Sequence, residues 1–169
     1  MLLEMKVIGL TLDPTTSTPI VILKDESGKN ALPIWIGLME ASAIAMELEK
    51  VQLSRPMTHD LLKNILGLLH VKISKIVVND LKDNTFYATI YLDMGGGAEQ
   101  VIDSRPSDAI ALALRTRSPI FVDQVVIDKS RKIDLSAKGQ EGESEEQRKK
   151  RWAELLEKLS PEDFGKYKM

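Results

Sequence analysis

Apolar and polar positions fall into short β-branched runs at the start of the chain. Residues 5–12 (Met-Lys-Val-Ile-Gly-Leu-Thr-Leu) and 19–24 (Pro-Ile-Val-Ile-Leu-Lys) are two such runs, separated by Asp13-Pro14-Thr15-Thr16-Ser17-Thr18. That spacer is turn chemistry, so the pair is predicted to form a hairpin. A second turn at 25–30 leads to a third strand at 31–36, where Pro33 calls for an edge or bulge position because it cannot donate to a ladder. Gly37 breaks that strand. Between 38 and 51, Met39, Ala43, Ala45, Met46 and Leu48 alternate with glutamates at helical spacing.

The next helix is predicted from Asp60 to about Leu69, capped by Thr58. Its Leu61, Leu62, Ile65, Leu66, Leu68 and Leu69 make a wide apolar face expected in the core. Residues 71–80 and 85–92 read as strands joined by the polar turn Lys82-Asp83-Asn84. Gly95-Gly96-Gly97 has no Lys-Ser/Thr after it, so it is a loop rather than a phosphate cradle, and a strand at 99–103 follows. A helix at 107–115 and a short strand or bend at 119–122 complete the run. Strands first, then helices interleaved with hairpins, predict an α+β fold with a mixed, largely antiparallel sheet.

Beyond residue 135 the composition changes. Residues 136–144 have almost nothing to bury and read as a flexible linker. In the tail at 145–169, Trp152, Leu155, Leu156 and Leu159 repeat at i, i+3, i+4 and i+7 behind the capping box Ser144-Glu145-Glu146-Gln147. This predicts a C-terminal amphipathic helix that docks on protein, with homo-oligomers as the expected consequence.

The 169 residues are 43% hydrophobic and 28% charged, enough for one main domain at 1–135. A formal net charge of −2 argues against a protein that coats nucleic acid electrostatically, so any polyanion contact must be local. The absence of cysteine removes disulfides, thiolate metal sites and a thiol nucleophile, and fits a reducing compartment. No apolar run reaches membrane-spanning length, and the start lacks a leader pattern; the expectation is a soluble, cytoplasmic protein.

One theme occurs twice. Ser54-Arg55-Pro56-Met57-Thr58-His59-Asp60 and Ser104-Arg105-Pro106-Ser107-Asp108 each place an arginine and a carboxylate at the mouth of a predicted helix, where unpaired N–H groups favour an anion. Arg55 and Arg105 are therefore candidate phosphate ligands, or alternatively ion-pair partners. His59 is a candidate acid/base, or a helix-start residue bonding the backbone. Asp103 and Asp108 flank the second turn; they are candidate catalytic carboxylates and candidate ligands for Mg²⁺ or Mn²⁺, or simply partners of the helix dipole and the arginines. Glu40 is a ligand or a first-turn charge, and Asp83 and Asn84 are turn-formers. His70 reads as a surface residue. Trp35, Phe86 and Tyr87 are expected in the core rather than stacking on bases.

Leu32-Pro33-Ile34-Trp35-Ile36-Gly37, Arg55-Pro56-Met57-Thr58-His59-Asp60-Leu61, Leu81-Lys82-Asp83-Asn84-Thr85-Phe86-Tyr87-Ala88 and Asp103-Ser104-Arg105-Pro106-Ser107-Asp108-Ala109-Ile110 occur in this order. Together they resemble the bifunctional nuclease domain family over about residues 5–127. The resemblance implies a compact α+β domain with a mixed sheet and a nuclease acting on both DNA and RNA, with nucleic acid as its substrate partner. It carries no catalytic signature with assigned roles. A non-catalytic oligomeric or regulatory module, in which the Ser-Arg-Pro elements are structural, is the alternative.

Overall fold

A computed structural model describes residues 1–134 of the protein. The linker at 136–144 and the helix at 145–169 expected from the sequence lie outside the described residues. Seven strands form one sheet: β1 (Leu2–Leu12), β2 (Pro19–Asp25), β3 (Ala31–Trp35), β4 (Lys72–Lys82), β5 (Thr85–Asp93), β6 (Glu99–Ser104) and β7 (Ile120–Asp123). The order is β3-β2-β1-β7-β4-β5-β6. Every neighbouring pair is antiparallel except β4 and β7, so the sheet is mixed and the fold is α+β. β3 is an edge strand, the position Pro33 requires.

β7 changes the meaning of the segment read as a final strand or bend. It inserts between β1 and β4, with Ile120 paired to Met5 on one side and to Ile76 on the other. The antiparallel ribbons β3-β2-β1 and β4-β5-β6 are thereby stitched into one sheet. Ile76, Val77 and Val78 are buried in succession, so both faces of β4 are covered; a strand with one wet face would alternate. The turn at Asp83 and Asn84 has positive φ at both positions, the geometry of a two-residue hairpin loop that such residues tolerate. Gly95, Gly96 and Gly97 all adopt positive φ in the β5–β6 loop, a run that residues with a Cβ would resist.

Among the described residues there are four helices, three of which pack on this sheet. α1 (Leu38–Leu48) lies over β1 and β2, α3 (Pro106–Thr116) over β4 and β5, and α1 and α2 (Thr58–Leu68) both contact α3. α4 (Gln124–Asp134) packs on β4 and β7 through Val126, Ile127 and Ser130 and was not anticipated. Its signal was the apolar pair Val126-Ile127 one turn before Ser130, with Asp123 accepting a bond from the Val125 N–H. Among the described residues no helix is long and apolar enough to cross a membrane.

Three expectations need correction. α2 is not core: His59 is its only buried residue, and Leu61 and Leu68 are 52% and 80% exposed. Periodicity states that one face is apolar, not that something in the same domain covers it, and here α1 and α3 occupy the sheet while α2 rests on α3. Thr58 does not cap α2; the cap is Met57, and Asp60 accepts a bond from the Met57 N–H. Trp35 and Tyr87 are exposed rather than core, because the pleat turns them away from the packed face; the Trp35 indole donates to Asp13.

Candidate functional site

Each of the first three helices begins with the same local device. The caps are Gly37, Met57 and Arg105, and the third helical residue is an acid in every case: Glu40, Asp60 and Asp108. A carboxylate in the first turn faces unpaired N–H groups and the positive end of the helix dipole, which explains the preference locally. The fold then brings these starts together. Asp108 Oδ1 lies 2.9 Å from His59 Nε2, its Oδ2 accepts from Arg105 Nε at 2.8 Å, and Arg105 Nη1 donates to Glu40 Oε1 at 2.8 Å. Side chains from α1, α2 and α3 are thus joined in one chain of hydrogen bonds.

Burial is the largest single influence on Asp108 and pushes its carboxyl upward. The hydrogen bonds from Arg105 and His59, with their charges, outweigh it and hold the group below the usual carboxylate range. Asp108 is therefore an anion near neutrality, and the His59 nitrogen facing it must carry a proton. That leaves the lone pair of neutral His59 on Nδ1. Nδ1 has no hydrogen-bond partner among the described residues, where no buried side-chain polar atom is left unsatisfied, so it opens to solvent. Bonding to Asp108 raises the Arg105 guanidinium's affinity for its proton further, and Nη2 of that 65%-exposed side chain remains without a partner.

Gly37 makes room for the network. A Cβ at this position would collide with the Glu40 carboxylate, which folds back over the helix start. A second cluster lies beneath. Arg115, with its side chain only 3% exposed, donates from Nε to Asp60 Oδ1 at 2.7 Å and from Nη1 and Nη2 to the carbonyls of Ala111 and Ala43 at 2.9 Å each. One guanidinium therefore ties α2, α3 and α1 together through the residue that follows His59. Burial acts most strongly on Asp60 and raises its carboxyl, but the bonds from Arg115 and Met57 and the charges of Arg115 and Lys63 leave it lowered.

The sequence-derived candidates divide. His59, Asp108 and Arg105 meet, and Glu40 joins them. Arg55 does not: it is exposed, makes no hydrogen bond or ion pair among the described residues, and lines a cleft of about 310 Å³ between the end of α1 and the start of α2. Asp103 also stands apart, exposed on the edge strand β6 opposite Thr89, with no side-chain partner. The carboxylate pair does not fit a metal as arranged: both oxygens of Asp108 are already engaged, and no group of three or more histidine or acidic ligands is gathered among the described residues. His70 is exposed at the end of α2, as read from sequence. Arg115 was missed, although it follows Asp108 by seven residues and so shares its helix face.

Residues 21–134 match the bifunctional nuclease domain. The chain belongs to the bifunctional nuclease domain family. It is also 32% identical over 163 residues to an uncharacterised protein of Mycobacterium tuberculosis, covering 95% of this chain and 97% of that one. Bifunctional nuclease 1 of Arabidopsis thaliana is 28% identical over 109 residues, 63% of this chain and 34% of the plant protein. Bifunctional nuclease 2 of Oryza sativa subsp. japonica is 26% identical over 117 residues, 68% of this chain and 36% of the rice protein. The family match takes in every residue of the network from Glu40 to Arg115, and the plant proteins share only a domain's length with this chain.

Proposed function

We propose that the protein hydrolyses phosphodiester bonds in DNA and RNA with little sequence preference, and that the meeting point of α1, α2 and α3 is its active site. The observation that carries this reading is the 2.9 Å pairing of His59 Nε2 with Asp108, which leaves Nδ1 open. His59 accepts the proton of the attacking water at Nδ1 and returns a proton to the leaving oxygen; Asp108 fixes the tautomer and steadies the imidazolium. Arg105 presents Nη2 to a phosphoryl oxygen while Asp108 and Glu40 hold its plane. Arg55 adds positive charge beside the site. No step is drawn through a metal, because the carboxylates do not gather as ligands.

The test is cleavage of single-stranded DNA and RNA by purified protein, with and without a chelator. His59→Gln should abolish cleavage in a folded protein, Asp103→Asn should leave it intact, and chelation should not remove it. Cleavage that persists in His59→Gln belongs to another nuclease in the preparation. Cleavage lost on chelation and in Asp103→Asn moves the chemistry to the carboxylates.

One observation favours a second reading. Arg105, Asp108 and Glu40 satisfy one another, and α2 presents a bare apolar face, as in a binding module whose Ser-Arg-Pro elements are structural. Folded protein that binds nucleic acid without cleaving it supports this alternative.

A further inference from the structure

The lining of the cleft beside α2 carries two positive and two negative side chains, of which three are engaged in ion pairs. Arg115 in its floor is paired with Asp60, and Glu47 on its rim with Lys50 at 3.1 Å. Arg55 is the one charged lining side chain without a partner among the described residues, so its guanidinium is the group of the cleft left to meet an anion. Around it the wall is of two kinds. Val51 and Leu53 expose apolar surface, while Gln52 and Asn64 supply amides that both donate and accept. A volume of about 310 Å³ sits at the lower end of small-ligand clefts, roughly 300–1,000 Å³, enough for one nucleotide and too small for a folded element.

The geometry points to this cleft as a subsite for one unpaired nucleotide, its phosphate on Arg55, its flat apolar surface against Val51 and Leu53, and its polar edge on Gln52 and Asn64. Amides that serve as donor or acceptor tolerate any base edge, and apolar walls accept any base face, so the subsite selects for an unpaired base rather than a sequence. Asp60 links the cleft to the chemistry, since it lines the cleft, holds Arg115 and follows His59 directly. The inference rests on the proposed hydrolysis for its placement in a strand, and on the cleft alone for its ligand.

Titration calorimetry of the full chain with AMP, UMP, adenosine, uridine and inorganic phosphate separates the two. Both monophosphates should bind, the nucleosides and inorganic phosphate each about tenfold or more weakly. Arg55→Gln should weaken the monophosphates by about tenfold, the scale of one lost charge-assisted bond, and Asn64→Ala by a smaller factor. Neither change should alter the melting temperature, because neither side chain supports the fold. Inorganic phosphate binding as tightly as AMP, or AMP affinity unchanged in Arg55→Gln, overturns the subsite. Nucleotide binding that depends on Arg55 in a protein without cleavage keeps the subsite and removes the hydrolysis. Cleavage that depends on His59 but is indifferent to Arg55 and Asn64, without AMP binding, does the reverse.

Discussion

At the mouth of α2 the third helical residue, Asp60, turns inward to Arg115; at the mouth of α3 the residue in the same helical position, Asp108, turns to Arg105 on its own cap and across to His59. The preceding Ser-Arg-Pro steps are alike in sequence but differ by two residues in their distance from the helix. Pro106 is the first residue of α3, where its missing N–H costs nothing, and this places Arg105 at the cap within reach of Asp108. Before α2 the cap is Met57 and the first helical residue is Thr58, so Arg55 lies two residues ahead of the cap and is left in the cleft with no partner. A short motif fixes which residues lie near a helix mouth. Its offset from the first turn decides which of them pair.

The contrast implies that the Asp60 start is a foundation and the Asp108 start a working surface. Arg115→Met tests the first half most severely, because it strips a buried guanidinium, leaves the Asp60 carboxylate without its partner and removes the side-chain bonds to the carbonyls of Ala43 and Ala111, which keep only their bonds within the helices. Only the arginine of this pair is fully buried, so breaking it costs about 2–3 kcal/mol, below the ~3–5 kcal/mol of a fully buried pair, and the melting temperature should fall by on the order of 5–10 °C. A fall of only a degree or two in calorimetry would erase the distinction.

Asp108→Asn should show the opposite balance. The amide keeps the shape, but it cannot accept from both Arg105 and His59, and it no longer stabilises an imidazolium. Cleavage should drop by on the order of 100-fold or more, while stability falls by about 1 kcal/mol, a typical net hydrogen bond. Rates and melting curves measured on one preparation decide the matter. If this variant is destabilised as much as Arg115→Met with its residual rate unaltered, both starts are structural.

Acid sharpens the comparison further. Both carboxyls are held below their ordinary value in the folded protein, so the stabilisation each gives is complete above the unfolded value near about 4 and is lost as pH falls through the folded one. The stability gap between wild type and Asp60→Asn, and that between wild type and Asp108→Asn, should be constant at neutral pH and shrink below about pH 4. Urea midpoints across that range measure both gaps, and a gap that widened in acid would contradict the pairing.

The sheet was legible because its evidence is local. Period-two runs and turn residues such as Asp83-Asn84 and Pro33 locate strands without knowledge of their neighbours. β7 was legible as a short strand or bend but not as the stitch between two ribbons, since its four residues carry no record of which edges they join. The site was half legible for a similar reason. His59, Arg105 and Asp108 announce themselves beside helix-breaking prolines, whereas Arg115 sits in a helix among alanines and leucines where a charge reads as solvent-facing. Only the spacing of seven from Asp108 hinted that it shares the inward face. Asp103 misled because five residues across a turn allow two carboxylates to meet without requiring it, and β6 ends as an exposed edge.

Gly37→Ala is the mildest probe of the working surface. With φ of −72° the backbone accepts alanine, so the effect comes from the methyl group and the Glu40 carboxylate that it displaces. Arg105 then loses its Glu40 contact and keeps its Asp108 one. Because that guanidinium is largely exposed, a surface pair of this kind is worth about 0–1 kcal/mol, and the melting temperature should shift by no more than a few degrees. The consequence should lie in function: an Arg105 held at one point instead of two presents Nη2 less well, so the rate should fall severalfold while the Asp108–His59 pair, followed by the imidazole proton resonances, stays intact. Equal rates with a displaced Glu40 would reduce that carboxylate to a first-turn charge, and leave Asp108 alone to orient both His59 and Arg105.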